Sequence, residues 1–511
     1  MMTGAFKNST TPRTVSMRAR RLGIDSRSDH IIYMRRDCEI CRSEGFSTHA
    51  RIRVTFGGQI IIATVHHIVS KLLDHGEAGF SESSWAALKL ETGSQVALAH
   101  PEHRHSLSRV RGKIYGQTLT HEDYNAIIGD ISLGRYSDIE LSAFVTACSA
   151  RDLNMAERIA LTGAMVDAGD TLDWGHTPVV DKHCVGGLPG NRTTPIVVAI
   201  VAANGLTMPK TSSRAITSPA GTADAMETLT IVDLDIKAVR HVVEREGACL
   251  VWGGAVQLSP ADDILIRVER ALDIDSDGQL VASVLSKKIS AGATHLVLDI
   301  PYGPTAKIRS LSAARAIEKS LSEVASSFGV TAKALLSDGS QPIGRGIGPA
   351  LEAYDVLSVL QQQDDSPLDL QDRSVQIAGC LLEMAGRAKK GKGQVLAETT
   401  LSSGDAWRKF QAICRAQGGL FEPPVAPLTK AVEAPQDGTV KAIDNRKISQ
   451  TAKLLGAPDA KSAGIFMNVR LGQPVVAGQP LYTLHAETPG EMDYAENYIQ
   501  ASADTIILEN N

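Results

Sequence analysis

Between residues 178 and 414 the sequence alternates short strand-like runs with helix-like stretches, and this alternation restricts the fold more than any other feature. Residues 178–181, 207–210, 249–252 and 295–300 read as strands. Residues 194–204, 223–229, 311–328 and 374–385 read as helices. Parallel neighbours in a sheet need a crossover of a dozen or more residues, which a helix supplies. The repeated order therefore predicts a mainly parallel sheet covered by helices. Loops that follow adjacent strands of such a sheet converge on one edge.

Those loops carry the densest chemistry. The run Asp181-Lys182-His183-Cys184-Val185-Gly186-Gly187-Leu188-Pro189-Gly190-Asn191-Arg192 joins a strand-like run to an apolar helix. Gly186, Gly187 and Gly190 let the backbone approach an anion closely. The helix that follows offers free N–H groups and the positive end of its dipole. Lys182 adds a compact cation. Thr194 suits the N-cap, Pro195 the first helical position and Gly205 the position after the last turn. The run matches neither the Walker A pattern nor GxGxxG, so neither a nucleoside triphosphate nor a dinucleotide follows from it. A turn whose glycines serve packing alone would look the same.

A second loop, 209–224, holds Lys210, Ser213, Arg214, Thr217 and Ser218, then Gly221-Thr222 ahead of another helix. Hydroxyls and a guanidinium suit phosphate or sugar oxygens. A third group comprises Asp275, Ser283, Ser286, Lys287, Lys288 and Lys307. Taken alone, Lys287 and Lys288 read equally as a solvated helix face, and Asp275 as a loop carboxylate or cap.

A chain of 511 residues predicts several domains. Residues 1–23 read as a disordered tail. Residues 24–100 read as a small α+β or β-barrel domain, with strands at 52–56, 59–63 and 95–99 and a helix at 69–75. Residues 106–177 read as an all-α domain to which later helices can add, with helices at 107–115, 120–129, 138–150 and 154–168. Ile139, Leu141, Phe144 and Val145 fall near helical spacing there. Residues 178–421 read as an α/β domain, expected to bind phosphate through its Gly-rich loop. After the Pro-rich linker 422–427, residues 428–500 read as a C-terminal β-rich domain. The expected fold is thus an α/β multidomain protein: a small N-terminal α+β domain, an all-α domain, a larger α/β domain and a β-rich end.

A net charge of −5 gives no electrostatic reason to expect nucleic acid or an anionic membrane as partner. No apolar run approaches the roughly 20 residues that span a bilayer. Seven irregularly spaced cysteines suit reduced thiols in a cytoplasmic protein. Cys38 and Cys41 form a CxxC with no second pair, which leaves a zinc site two ligands short.

Three motifs, in order, resemble those of the thymidine and pyrimidine nucleoside phosphorylases: Asp181-Lys182-His183-x-x-Gly186-Gly187, Gly221-Thr222-x-Asp224 and Ala282-Ser283-x-x-Ser286-Lys287-Lys288. The fuller forms, with Pro189-Gly190-Asn191-Arg192 and Ser212-Ser213-Arg214-Ala215-Ile216-Thr217-Ser218, resemble the long branch of that family. That branch holds archaeal AMP phosphorylases and bacterial proteins called thymidine phosphorylases. The resemblance spans about residues 24–500.

It implies phosphate in the α/β domain and a nucleoside in the cleft toward the α domain. Position by position, it implies that Lys182 holds phosphate. It makes Gly187, Ser213, Arg214, Ala215, Ile216, Thr217, Ser218 and Thr222 contacts to substrate or phosphate. Ser283, Lys287 and Lys307 become further substrate contacts, and Asp275 the proton donor. The implied reaction is thymidine plus phosphate to thymine plus 2-deoxyribose 1-phosphate. AMP or another nucleoside 5′-monophosphate, giving ribose 1,5-bisphosphate, is the alternative substrate. Inorganic phosphate is co-substrate, and no metal or organic cofactor is expected. The family also implies a homodimer or larger homo-oligomer.

One position departs from the pattern: shorter members usually have Ser where this chain has Cys184, and a thiol is the weaker donor. Two readings of other kinds stay open. One is a nucleotide-binding module without turnover. The other is a phosphoribosyltransferase, which would need a diphosphate sugar and normally Mg²⁺.

Overall fold

The computed structural model describes residues 14–509 apart from Ser28, His103, Gly186, Ile216, Thr217, Asp275 and Ala503. Two compact units are present: residues 1–111 with 129–144, and residues 112–128 with 145–511.

The first unit contains a closed six-stranded barrel. Its elements are β1 Val15–Arg21, β2 Ile31–Arg35, α1 Glu39–Glu44, β3 Arg51–Phe56, β4 Gln59–Ile68, β5 Glu77–Phe80, α2 Glu82–Leu88 and β6 Gln95–Ala99. The strand order is β1-β5-β2-β4-β3-β6. β1 corrects the tail expected over 1–23 for residues 15–21; residues 1–13 of that expectation lie outside the described residues. Met17 and Ala19 point into the core while Ser16 and Arg18 face out, an alternation of period two hidden by the arginines. The helix expected at 69–75 is a bent loop. Val69 and Leu72 are exposed and only Leu73 is buried, so no apolar helical face exists to dock. Cys38 caps α1, its sulfur accepting from the Cys41 N–H at 3.1 Å, and both cysteines lie in the barrel core. Among the described residues no cluster of three His, Cys, Asp or Glu is placed to hold a metal.

Four helices follow: α3 Ser106–Ile114, α4 His121–Ser132, α5 Asp138–Ala150 and α6 Met155–Asp167. In α5, Leu141, Phe144 and Val145 are buried but Ile139 is exposed. α6 opens with a capping box between Asn154 and Glu157. The buried Glu157 carboxylate also accepts from the Lys113 ammonium at 2.7 Å and from the Leu119 N–H at 3.1 Å.

The α/β region runs β7 Val180–Cys184, α7 Thr193–Ala203, β8 Met208–Ser212, α8 Thr222–Glu227, α9 Ile236–Glu246, β9 Ala248–Trp252, α10 Pro260–Leu272, α11 Asp277–Ser290, β10 His295–Tyr302, α12 Leu311–Ser327, β11 Thr331–Asp338, β12 Gly346–Ile347, α13 Pro349–Leu360, α14 Leu368–Met384, α15 Gly393–Ser402 and α16 Asp405–Ala416. β11, β10 and β7 pair in parallel, as do β8 and β9. A parallel bridge between Val179 and Thr207 joins the two sets, so the order is β11-β10-β7-β8-β9. From β7 the chain passes to β8 on one side, and it returns to β10 on the other. That reversal makes a switch point, and open α/β sheets bind ligands in the crevice beyond the strand ends there. α7 is apolar all round because it is the central helix: Ile196 to Val201 are wholly buried, and it packs on α14 and α16.

The C-terminal segment comprises β13 Leu428–Glu433, β14 Gly438–Ile443, α17 Asn445–Leu454, β15 Gly464–Met467, β16 Pro474–Val475, β17 Pro480–Ala486, α18 Pro489–Ala501 and β18 Ile506–Glu509. Its two sheets have the orders β12-β15-β17-β13 and β16-β14-β18. The α/β region therefore lends its strand β12 to the edge of the C-terminal sheet. No described helix is long and apolar enough to cross a membrane.

Candidate active site

The loop after β7 turns at Gly187 and Gly190, whose φ values are +52° and +72°. Gly190 tolerates no side chain, since a Cβ would lie 2.0 Å from the Ile343 carbonyl oxygen. α7 begins at Thr193 with Arg192 at its N-cap, so Thr194 is not the cap and Pro195 lies within the first turn. Arg192 makes no side-chain cap hydrogen bond, since a guanidinium has no acceptor, and it donates instead to buried Glu352 on α13, at 2.6 Å from Nε to Oε2. It also donates to the Thr222 hydroxyl at 2.7 Å and to the Ala220 carbonyl at 2.8 Å, locking the second loop to the first.

Lys182 is 2% exposed, and its ammonium donates to the Thr193 hydroxyl at 2.7 Å. Among the described residues no carboxylate forms an ion pair with it. Burial lowers its pKa from the ordinary value. A buried ammonium held by a hydroxyl is an unfinished arrangement that an anion would complete. The neighbouring Cys184 sulfur accepts from Asn191 Nδ2 at 3.0 Å, and the same amide donates to Asp299 at 3.2 Å. Arg373 of α14 pairs with Asp299. Burial, and then the Asp299 carboxylate, push the Cys184 thiol up to about 12, so it is no thiolate nucleophile.

The second loop folds back on itself at Gly221, where a Cβ would meet the Ser213 carbonyl at 2.4 Å. Asp224 holds the fold, accepting from the N–H groups of Ala215 at 2.6 Å and Gly221 at 2.8 Å. Arg214 lies over the Trp252 ring at 4.8 Å and donates to both Glu227 oxygens at 2.8 and 2.9 Å. Its guanidinium is thus already paired with carboxylate. The Arg214 hydrogen bonds, opposed by burial and helped by Lys461, hold Glu227 down at about 2.

Under both loops sits a buried charge cluster. Asp181 takes the Lys210 ammonium at 2.9 Å and that of Lys288 at 2.9 Å. Burial alone would raise Asp181, but the two lysines outweigh it and lower its pKa. Burial lowers Lys288 against the pull of Asp181, and Lys210 adds to the lowering. Lys288 is therefore no part of a solvated helix face. Lys287 is mostly buried and pairs with Asp262 at 2.5 Å. Burial works against its charge, yet Asp262 and Asp263 hold its pKa above the ordinary value. His183 is kept well below its ordinary value by burial first, then by Lys288 and Lys210, so its imidazole is neutral.

A cavity of about 270 Å³ opens among these loops, α10 and α11. Of the residues singled out in the sequence, Lys182, Gly187, Ser213, Arg214, Ser218, Thr222, Ser283, Lys287 and Lys307 line it. Ala215 stands behind the wall with its N–H on Asp224. Ile216, Thr217 and Asp275 lie outside the described residues. His183, Arg192, Lys210 and Lys288, named in the sequence motifs and loops without an assigned role, also line the cavity, and so do Glu269 and the apolar Ile266, Leu280 and Val284, which nothing in the sequence marked. One signal was available: a lysine inside a buried strand, as Lys210 is in β8, requires a partner.

Residues 109–169 match the helical bundle domain of the glycosyl transferase family and residues 176–407 match its α/β domain. Residues 439–505 match the pyrimidine nucleoside phosphorylase C-terminal domain. The match to this α/β domain, with the relatives that follow, makes the chain a pentosyltransferase. A protein of Maricaulis maris named "Putative thymidine phosphorylase" is 56% identical over 495 residues, 97% of this chain and 95% of that one. One of the same name from Polaromonas is 54% identical over 504 residues, 98% of each chain. The chain belongs to the thymidine and pyrimidine nucleoside phosphorylase family and is a pyrimidine nucleoside phosphorylase. Among solved structures, the anthranilate phosphoribosyltransferase of Thermus thermophilus shares the fold, with a TM-score of 0.52 at 20% identity over 60% of this chain and 98% of that one.

Proposed function

We propose that the protein catalyses phosphorolysis of thymidine to thymine and 2-deoxyribose 1-phosphate. The observation that carries this reading is Lys182, a buried ammonium on the cavity wall whose partner is a hydroxyl, beside a Gly-rich loop and the start of α7. A phosphate dianion supplies the missing charge. One phosphate oxygen attacks C1′ from the face opposite the base. The C1′–N bond breaks, its electron pair goes to the base, and inversion gives the α-sugar 1-phosphate. Positive charge builds on the sugar, where the phosphate lies closest. A proton from Asp275 neutralises the leaving base. Excluding water from the bound reactants prevents competing hydrolysis, and holding both reactants in place supplies much of the rate.

Lys307, a further cation on the same wall, favours a second reading in which a nucleoside 5′-monophosphate is the substrate. Turnover of thymidine, uridine, AMP and CMP at saturating phosphate decides between them. Thymidine as the best substrate supports the first reading, and AMP or CMP replaces it with the second. Activity that EDTA does not change counts against phosphoribosyl transfer. Asp275→Asn is expected to lower kcat at least about a hundredfold; a near-native kcat removes Asp275 from the donor role.

A further inference from the structure

We propose that the C-terminal β-rich segment positions three parts of the cavity wall, the Gly-rich loop, the second loop and the turn that carries Lys307, through Arg470, Lys461 and Asn445, and so belongs to the catalytic apparatus without touching substrate. Each tie reaches a different loop. Lys461, ahead of β15, lies 2.6 Å from Glu227, and Glu227 holds Arg214 of the second loop. Asn445 is buried at the start of α17. Its N–H and Nδ2 donate to the Thr305 hydroxyl at 3.2 and 3.0 Å, and Nδ2 also reaches the Gly339 carbonyl at 2.9 Å. Thr305 stands two residues before Lys307, so this tie fixes the turn that presents that cation.

Arg470, between β15 and β16, donates to the carbonyls of Pro342 at 2.9 Å and Gly344 at 2.7 Å. Between those two carbonyls, the Ile343 N–H donates to the Pro189 carbonyl at 3.1 Å, inside the Gly-rich loop. The Ile343 carbonyl is also the atom that excludes a side chain at Gly190. Pairing of β12 with β15 continues the same seam. A segment that served only assembly or solubility would have no cause to send one side chain to the back of each loop.

Lys461 and Glu227 are both about a third exposed, so their ion pair adds little to global stability. Its effect lies in direction: it fixes the carboxylate on which Arg214 rests. Lys461 is therefore a positioning residue, and its loss should be felt locally.

The test compares Lys461→Met with the conservative Lys461→Arg in the full-length protein. Two quantities are measured: amide hydrogen exchange across residues 212–222 without substrate, and nucleoside KM and kcat at saturating phosphate. Lys461→Met is expected to speed exchange in 212–222 and to raise the nucleoside KM about fivefold with kcat within about twofold. Lys461→Arg should restore both. Unchanged exchange in 212–222, or an unchanged KM in a variant that turns over, overturns the proposal. The kinetic arm rests on the phosphorolysis reading. A wild-type protein that forms no sugar phosphate refutes that reading, and hydrogen exchange then decides the brace by itself. Should Lys461→Met fail to fold, Lys461→Gln is read by the same two measurements and the same criteria.

Discussion

Replacing Lys182 by Met should weaken phosphate binding and leave the empty protein at least as stable as before. A hydrogen bond to a charged group contributes about 1.5–3 kcal/mol. Its loss should raise the phosphate KM about ten- to hundredfold. Stability without phosphate runs the other way. Lys182 is buried, and its described partner is the Thr193 hydroxyl. Keeping such an ion out of water costs up to several kcal/mol. Met removes that cost, and Thr193 keeps Asn191 Oδ1 as a partner at 3.4 Å.

The pH dependence carries the same sign. Burial lowers the folded pKa of Lys182, so the unfolded chain binds more protons between that value and the ordinary 10.5. Stability contributed here therefore rises with pH across that window, and Met abolishes the rise. Thermal unfolding with and without phosphate measures both effects. At a phosphate concentration of about 100 Kd the wild type gains ~2.7 kcal/mol. At the same concentration the variant should gain about 1.4 kcal/mol or less. A variant that unfolds at lower temperature without phosphate, yet keeps its phosphate KM, would refute the reasoning.

Other positions give independent predictions. Gly190→Ala forces a Cβ against the Ile343 carbonyl at a positive φ, and should lower Tm and raise the phosphate KM together; a variant with both unchanged would show that the loop tolerates a side chain. Cys184→Ser offers a better donor beside the cavity and should lower the phosphate KM by up to about tenfold (~1.4 kcal/mol); a change under twofold means that the thiol is not limiting. Glu157→Gln strips the buried Lys113 of its partner and should cost about 3–5 kcal/mol in a denaturant titration. Burial would raise Glu157, but Lys113 and the backbone donors outweigh it and lower its pKa. Its stabilisation is thus complete above the ordinary 4.5 and fades as pH falls through the folded value, a limb the variant should lack. Because His183 is held neutral, kcat/KM between pH 6 and 8 should show no transition that disappears in His183→Gln.

What the sequence made legible depended on how local the cause was. The alternation over 178–414 records strands buried between helices, a period any such sheet imposes. Gly187 and Gly190 advertise turns that only glycine adopts without strain. Causes that act across the fold left weaker traces. Lys288 reads as a surface lysine until β7 places Asp181 2.9 Å from it. Arg192 reads only as a member of the Gly-rich motif until α13 brings Glu352 against it. Arg214 stands on the cavity wall, but Glu227 already occupies its guanidinium. The tail-like 15–21 became a strand because its two inward apolar side chains, Met17 and Ala19, found a barrel interior. In 69–75 Val69 and Leu72 met solvent instead, and no helix formed.

The central claim is that a phosphate held at Lys182 and the Gly-rich loop, not water, takes the sugar. The direct measurement follows both products from thymidine, or from the best substrate in the panel, with and without inorganic phosphate. Phosphorolysis predicts one α-sugar 1-phosphate for each base released, and no release when phosphate is left out. Free base appearing without sugar phosphate, or at a rate indifferent to phosphate, would contradict it.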